Sequence, residues 1–369
     1  MRFYLDYNAS APLMKEVKEY IISTLDINGN PSSIHNSGRK AKNILEEARL
    51  RVAELVNADK ESIIFTSGAT EANNIVVNSF DNLITSKIEH ESILNTAKSI
   101  DIGVTPEGYV DLNHLDEVTK NIKNKDRSII SVMIANNETG IIQPIETIKK
   151  IAKKNKVLFH TDAVQAVGRV PVDFLEIECD FMTLSSHKIG GPKGAGALVV
   201  KNKKKLKSFV KGGSQEYNLR AGTEAITSIA GFGMAASKTD LSKIQNTRVV
   251  RDFFEKELLT HNNDILLIGN QSNRLPNTFM FSVPGITADN ILIALDIEGF
   301  EVSTGSACSS GKVEASKTLE AMGFANNILS SSIRVSLGPY NNYEEATLFA
   351  KTVKKIKNRF LDSKNDLSR

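Results

Sequence analysis

The segment SSHKIGGPKGAGAL (185–198) runs from small hydroxyl residues through a His-Lys pair into a glycine-rich turn. A lysine fixed at the end of a strand suits Schiff-base chemistry, because an amine that is normally protonated becomes a nucleophile once its surroundings lower its pKa or supply a base. Upstream, TSGATEANN (66–74) follows the apolar run SIIF and opens a helical pattern, so free backbone N–H groups and the helix dipole can take a phosphate. HTDAVQAVG (160–168) sets Asp162 just past VLFH, where a carboxylate withdrawn from water needs a cationic partner, and a protonated pyridine nitrogen is one. Cys308 lies in STGSACSSG (303–311), a run of small residues with little side-chain mass to anchor it, so such a loop can move, although by composition alone a free cysteine is more often buried and inert. Cys179 sits between Glu178 and Asp180, whose charges oppose thiolate formation, and reads as structural. His160 stands two residues before Asp162, but neither an HExxH pattern nor clustered thiolates accompany it, so no metal site is expected.

These residues need elements to hold them. Residues 38–58 place Ala41, Ile44, Leu45, Ala48, Val52, Leu55 and Val56 at helical spacing with charges opposite, which predicts an amphipathic helix. The short β-branched runs SIIF (62–65), LITS (83–86), SIISVMI (128–134), VLFH (157–160), FMTLS (181–185) and ALVV (197–200) read as buried strands. Their alternation with helical stretches predicts an α/β fold with a mostly parallel sheet covered on both faces, whose ligand sits beyond the strand carboxyl ends. From about residue 240 a charged helical stretch, NTFMFSV, DNILIALDIEG and SSIRVSL suggest a second, α+β unit, with a terminal helix from Lys351. KNKKKLK (201–207) reads as a solvated turn, without the interleaved aromatics of a nucleic-acid surface.

With 369 residues, 41% hydrophobic and 24% charged, the chain is an ordinary folded protein large enough for an enzyme. Its formal charge of +3 gives no field to recruit nucleic acid or anionic lipid. Two cysteines cannot build a disulfide framework and suit a reducing compartment. The start MRFYLDYNASAPL does not read as a signal peptide, and no apolar run is long enough to span a membrane, so a cytoplasmic location is expected.

Taken in order, YLDYNASAP, GNPSSIH, TSGATEANN, NNETG, HTDAVQAVG, SSHKIGGPKGAGAL, RAGTE, GSACSSG and RVSLG resemble the cysteine desulfurases of the NifS/IscS type, in the class V aminotransferase group of pyridoxal-phosphate enzymes. The resemblance runs from about Tyr4 to Gly338. It implies a fold-type I homodimer: a large domain (13–240) with a mostly parallel seven-stranded sheet, and a smaller α+β domain (1–12 and 241–369) carrying the cysteine loop. The implied reaction is a sulfurtransferase one, L-cysteine to L-alanine with the sulfur left as a persulfide on Cys308 and passed to an acceptor for iron–sulfur cluster assembly or tRNA thiolation.

By the same resemblance Lys188 would hold pyridoxal 5′-phosphate, Asp162 would keep its ring nitrogen protonated, and His90 would stack on the ring and transfer protons. Gln165 would bond the ring hydroxyl, and Asn137 would lie near the ring oxygen and the substrate. The phosphate would be held by Ala69, Thr70, Ser185 and His187, and by Thr223 from the second subunit. Arg334 would clamp the substrate carboxylate with its planar fork. Departures from the family pattern are Tyr217-Asn218, where many relatives have Arg-Gly, Ala225-Ile226, where Asn-Val is common, and GKVEASKTLEAMG after Cys308. These leave the acceptor open among an Fe–S scaffold, a SufE-like carrier and a tRNA-thiolation protein. Rival readings are a selenocysteine lyase, a class V aminotransferase using a keto acid, and a non-catalytic scaffold.

Overall fold

The structure is a computed structural model that describes residues 1–95, 99–304 and 315–367. Its strands are β1 (Phe3–Tyr4), β2 (Ile63–Thr66), β3 (Asn82–Ser86), β4 (Ser99–Ile102), β5 (Ser128–Ser131), β6 (Leu158–Asp162), β7 (Phe181–Ser185), β8 (Gly196–Val200), β9 (Leu266–Ile268), β10 (Thr278–Ser282), β11 (Phe300–Glu301) and β12 (Ser332–Ser336). Seven of them form one sheet in the order β2-β8-β7-β6-β5-β3-β4. Neighbours from β7 to β4 are parallel, and β8 alone runs antiparallel to both of its neighbours.

Every residue of β2, β5, β7 and β8 is buried, as a sheet covered on both faces requires. The period of two sorts them. Ile63, Phe65, Ile130 and Val199 join a core with the helices Asn36–Leu55, Ile145–Asn155 and Ile226–Lys238, while Ile64, Ile129 and Leu198 face the helix Ala69–Val77 on the other side.

A second core surrounds the antiparallel sheet β12-β10-β9, packed by the helices Leu241–His261, Ala288–Ile297 and Tyr343–Leu367. Aromatic rings dominate it. Phe349 packs edge-on against Phe281 and Phe300 at 6.0 and 5.3 Å between centroids, and Phe254 tilts against Phe279 and Phe349. The amino terminus belongs to this region, because β1 pairs in parallel with β11 and Leu5 lies in its core. From there the chain passes Asp6, bridged to Ser336, and enters the space between the two cores. Ile141, Ile268, Met280, Leu319 and Met322 join the regions through a smaller apolar cluster.

The predicted helix over 38–58 runs from Asn36 to Leu55, and each of the six predicted strand runs contains a strand. SIISVMI ends as a regular strand at Ser131, although Val132 and Ile134 still donate to His160 and Asp162 of β6. The terminal helix begins at Tyr343, well before Lys351. Within KNKKKLK, Lys203 is not merely solvated: its ammonium lies 3.8 Å from the Tyr217 ring centroid and donates to the Glu61 carbonyl. Among the described residues no helix is long and apolar enough to cross a membrane.

Candidate active site

A cleft of about 590 Å3 opens beyond the carboxyl ends of β6 and β7, and it gathers most of the residues singled out from the sequence. A larger cleft, about 1000 Å3 and lined by Arg248 and Arg274, contains none of them. Asp162 ends β6 and is buried. Its Oδ1 accepts from the Val164 N–H at 2.9 Å and its Oδ2 from the Asn73 amide at 2.8 Å. Lys188 closes the turn that follows β7, and its amine donates to the carbonyls of Asn8 and Ala9. Burial, reinforced by the Arg169 and Arg334 cations, lowers the Lys188 pKa to about 7, so the amine is available as a nucleophile near neutrality. Lys193 lines the same cleft.

The helix Ala69–Val77 starts at the cleft, with Ala69 and Thr70 on the wall and no side chain capping its first turn. That leaves its first N–H groups for a bound anion. Ser185 and His187 stand nearby, His187 within 3.3 Å of the Ser10 hydroxyl. Burial and the adjacent Lys188 bring the His187 pKa down to about 4, which keeps the ring neutral. Gly196 explains part of the glycine-rich run. A Cβ there would stand 2.5 Å from the Gly68 carbonyl carbon, so β8 can underlie the loop before the helix only without a side chain.

Gln165 is oriented by its neighbours: its Oε1 accepts from the Arg169 guanidinium and its Nε2 donates to Asn8 O at 3.1 Å. His90 and Asn137 line the cleft, and the Asn137 carbonyl accepts from Asn8 and from Arg334. Arg334 lies just behind, with Nη2 donating to Asp6 Oδ1 at 2.6 Å and Nε buried without a partner among the described residues. The carboxylate clamp expected from the sequence is therefore held by a carboxylate of the chain itself. Thr223 is exposed and does not line this cleft. Cys308 lies outside the described residues. Cys179 is fully buried, and burial with the Asp180 charge pushes its thiol pKa up, as its sequence neighbours suggested.

Several residues of the site went unnoticed in the sequence. Arg169 is buried behind Gln165 and bonds Gln165 O and Tyr7 O, with its pKa lowered by burial to about 9. Asn8 ties the amino-terminal segment to Asn137, Thr278 and Asn277. Glu138 of NNETG accepts from Ser316 at 2.6 Å and Thr318 at 2.7 Å, fixing the chain just after the cysteine segment. Glu89, beside His90, is buried, and burial with the Asp162 charge raises its pKa to about 8 while its oxygens accept from the Met133 N–H. A polar residue inside an otherwise small or apolar motif is the one signal that marks Arg169 and Asn8. Glu89 and Glu138 carry no such mark.

The donor set fits pyridoxal 5′-phosphate: a neutralisable amine, a buried carboxylate for the ring nitrogen, an oriented amide for the ring hydroxyl and an uncapped helix start for the phosphate. Comparison with known proteins agrees. The family model Aminotransferase class-V matches residues 3–349. The chain belongs to the class V aminotransferase family. Within this pyridoxal-phosphate-dependent family it falls in the NifS/IscS group. It is 41% identical over 362 residues to the cysteine desulfurase IscS of Dictyoglomus turgidum, covering 93% of this chain and 91% of that protein. It is 36% identical to a putative cysteine desulfurase, IscS 1, of Bacillus subtilis, covering 97% and 99% of the two chains. Among solved structures, a NifS-like protein from Rickettsia africae superposes with a TM-score of 0.90 at 35% identity, covering 97% of this chain and all of that one (100%). A structure described as SspA in complex with cysteine gives a TM-score of 0.79 at 30% identity, over 93% and 100% of the chains.

Proposed function

We propose that this class V protein is a cysteine desulfurase that converts L-cysteine to L-alanine and leaves the sulfur on Cys308. The observation that carries the reading is the meeting of the Lys188 amine, lowered to about 7, with Asp162 in one cleft at the strand ends. Lys188, Asp162, Gln165, Ser185, His187, Ala69 and Thr70 would hold pyridoxal 5′-phosphate, and Asn137 would border it. When bound, the protonated ring draws electrons from the substrate Cα. The Lys188 amine would take and return the substrate Cα proton, and His90, on the wall of the same cleft, would serve a second proton transfer. Arg334 exchanges Asp6 for the substrate carboxylate. The Cys308 thiolate attacks the substrate sulfur, the Cβ–S bond breaks as the S–S bond forms, and the carbon left behind is protonated to give alanine.

A second copy completes the site, with Thr223 reaching the partner's phosphate. The exposed Leu13, Ile22, Leu25 and Ile34 around the first helix supply apolar surface for that contact. The division into 13–240 and a smaller unit of 1–12 with 241–369 belongs to the same reading. So do a cytoplasmic location and an acceptor protein for the persulfide, either an Fe–S scaffold or a SufE-like carrier.

The test is conversion of cysteine to alanine and sulfide by the purified, pyridoxal-phosphate-loaded protein with a reductant. Cys308→Ser is expected to keep the cofactor's visible absorbance and lose sulfide release, and full activity in that variant sinks the assignment. A rate on selenocysteine far above that on cysteine favours a lyase, and obligatory dependence on a keto acid favours an aminotransferase.

A further inference from the structure

Behind His90 lies a chain of hydrogen bonds whose direction is fixed by counting protons. Asn73 is fully buried on the helix Ala69–Val77. Its Nδ2 lies 2.8 Å from Asp162 Oδ2 and 2.8 Å from Ser92 Oγ. A carboxylate can only accept, so the nitrogen of the amide must face Asp162, and its second hydrogen is then directed at Ser92. Among the described residues Asn73 Oδ1 has no partner, which is the cost of that orientation. With its oxygen accepting from Asn73, Ser92 has one hydrogen left to place. His90 Nδ1, at 2.8 Å, is the acceptor in reach, and it also accepts from the Ser92 backbone N–H at 3.1 Å. The nitrogen that accepts both bonds cannot carry the proton.

We infer that Asn73 and Ser92 are positioning residues that hold His90 as the Nε2–H tautomer, with its donor nitrogen turned away from Ser92 and toward the cleft the ring lines. His90 thereby meets an incoming substrate as a hydrogen-bond donor. It can bind a proton at Nδ1 only by giving up the bond from the Ser92 backbone N–H and turning the Ser92 hydroxyl from donor to acceptor. The relay begins at Asp162, so the carboxylate that would face the cofactor ring also orients the hydrogen bonds that select the His90 tautomer. Among the described residues the other titratable groups around His90 are Glu89, whose oxygens accept from the Met133 N–H, Glu91, paired with Lys317 at 2.8 Å, and the Lys188 and Lys193 amines in the cleft. None of these contacts Nδ1 in place of Ser92.

The role of His90 in the reaction belongs to the proposed function, but its tautomer can be read without any turnover. In the full-length protein loaded with pyridoxal phosphate and labelled with 15N-histidine, the imidazole identified by its loss in His90→Gln is expected to show a protonated Nε2 and a bare Nδ1. Ser92→Ala and Asn73→Ala are expected to release this preference and mix the tautomers, and Ser92→Thr to restore it. In turnover, Ser92→Ala is expected to lower kcat about tenfold with KM for cysteine unchanged, again rescued by Ser92→Thr. A proton on Nδ1 in the unaltered protein, or an imidazole spectrum indifferent to Ser92→Ala, overturns the inference. Should Ser92→Ala not fold, Asn73→Ala with the spectrum of the unaltered protein decides the same question. Failure of desulfurase activity with the tautomer as described would strike the proposed function and leave the relay standing.

Discussion

Two arginine–carboxylate pairs, both with nearly buried guanidinium groups, behave differently in this molecule. Arg49 and Glu216 meet behind β2 through two parallel bonds of 2.8 and 2.7 Å, with side chains 4% and 2% exposed. Arg49 also donates to Ile63 O and through Nε to Glu46, and Glu216 accepts from the Phe65 N–H, so four of the five guanidinium N–H groups and both carboxylate oxygens are engaged. Arg334 and Asp6, at the back of the cleft, share one bond of 2.6 Å, Asp6 is 20% exposed, and Arg334 Nε is buried without a partner among the described residues. A pair that is bidentate, with every guanidinium nitrogen engaged, fixes two elements together. A pair joined at one point, with one partner wetted and a donor unspent, can trade its carboxylate for another.

The largest expected effect breaks the first pair. Glu216→Ala leaves the Arg49 cation buried and uncompensated, and should cost about 3–5 kcal/mol of stability by urea unfolding of the holoenzyme. The other pair should move catalysis instead. Arg334→Lys keeps a cation but loses the fork, and kcat/KM for cysteine is expected to fall about thirtyfold, equivalent to roughly 2 kcal/mol, mostly through KM. Asp6→Asn works in the opposite direction: removing the competing charge should lower KM. A KM unchanged in both variants would make Arg334–Asp6 a second structural pair and erase the contrast.

A smaller effect comes from the reach of Arg334 toward Lys188. Burial contributes most to the lowered amine pKa, Arg169 follows, and Arg334 is third. Only the neutral amine captures added pyridoxal phosphate, so the capture rate by cofactor-free protein, followed by absorbance, should rise with pH through about 7 and level off above it. Arg334→Leu removes a like charge, so the amine holds its proton more tightly and the midpoint should move upward. Arg169→Leu should move it further. A midpoint near the ordinary lysine value of about 10 would show that burial in the cleft is not acting on Lys188.

The difference between the pairs also marks what the sequence could reveal. Strand ends and glycine turns repeat along the chain as local patterns, so β6 with Asp162 and the turn bearing Lys188 were readable from a few residues each. The partners of those residues come from far away. Asp6 reaches Arg334 across the whole chain because β1 pairs with β11, two strands of two residues each, too short to leave a pattern. β4, with the sequence SIDI and two exposed residues, escaped for a similar reason: it is the edge of the sheet and carries little apolar signal. Gly338 of RVSLG shows the same non-local logic. A Cβ there would fall inside the Tyr7 ring, 1.9 Å from Cζ, so the motif records a contact between chain ends. The resemblance names Arg334 as a carboxylate clamp, but no local spacing links residue 6 to residue 334, so its bond to Asp6 could not be read.

The smallest test concerns the backbone that carries Glu216 to Arg49. Glu216, Tyr217 and Asn218 all have left-handed φ, at 45°, 60° and 62°. Each non-glycine residue there costs about 1 kcal/mol, least for asparagine. Tyr217 gets something in return, because its ring lies 5.6 Å from the Arg49 guanidinium and 3.8 Å from the Lys203 ammonium, contacts that contribute about 0.5–1 kcal/mol each. Asn218 has no such ring. Asn218→Gly is therefore expected to raise stability by a few tenths to about 1 kcal/mol, while Tyr217→Gly, which gains the same freedom and loses both cations, should be neutral or slightly destabilising. If both glycines stabilise equally, the stacking carries no weight, and the rigidity of the Arg49–Glu216 pair rests on its own bidentate bonds alone.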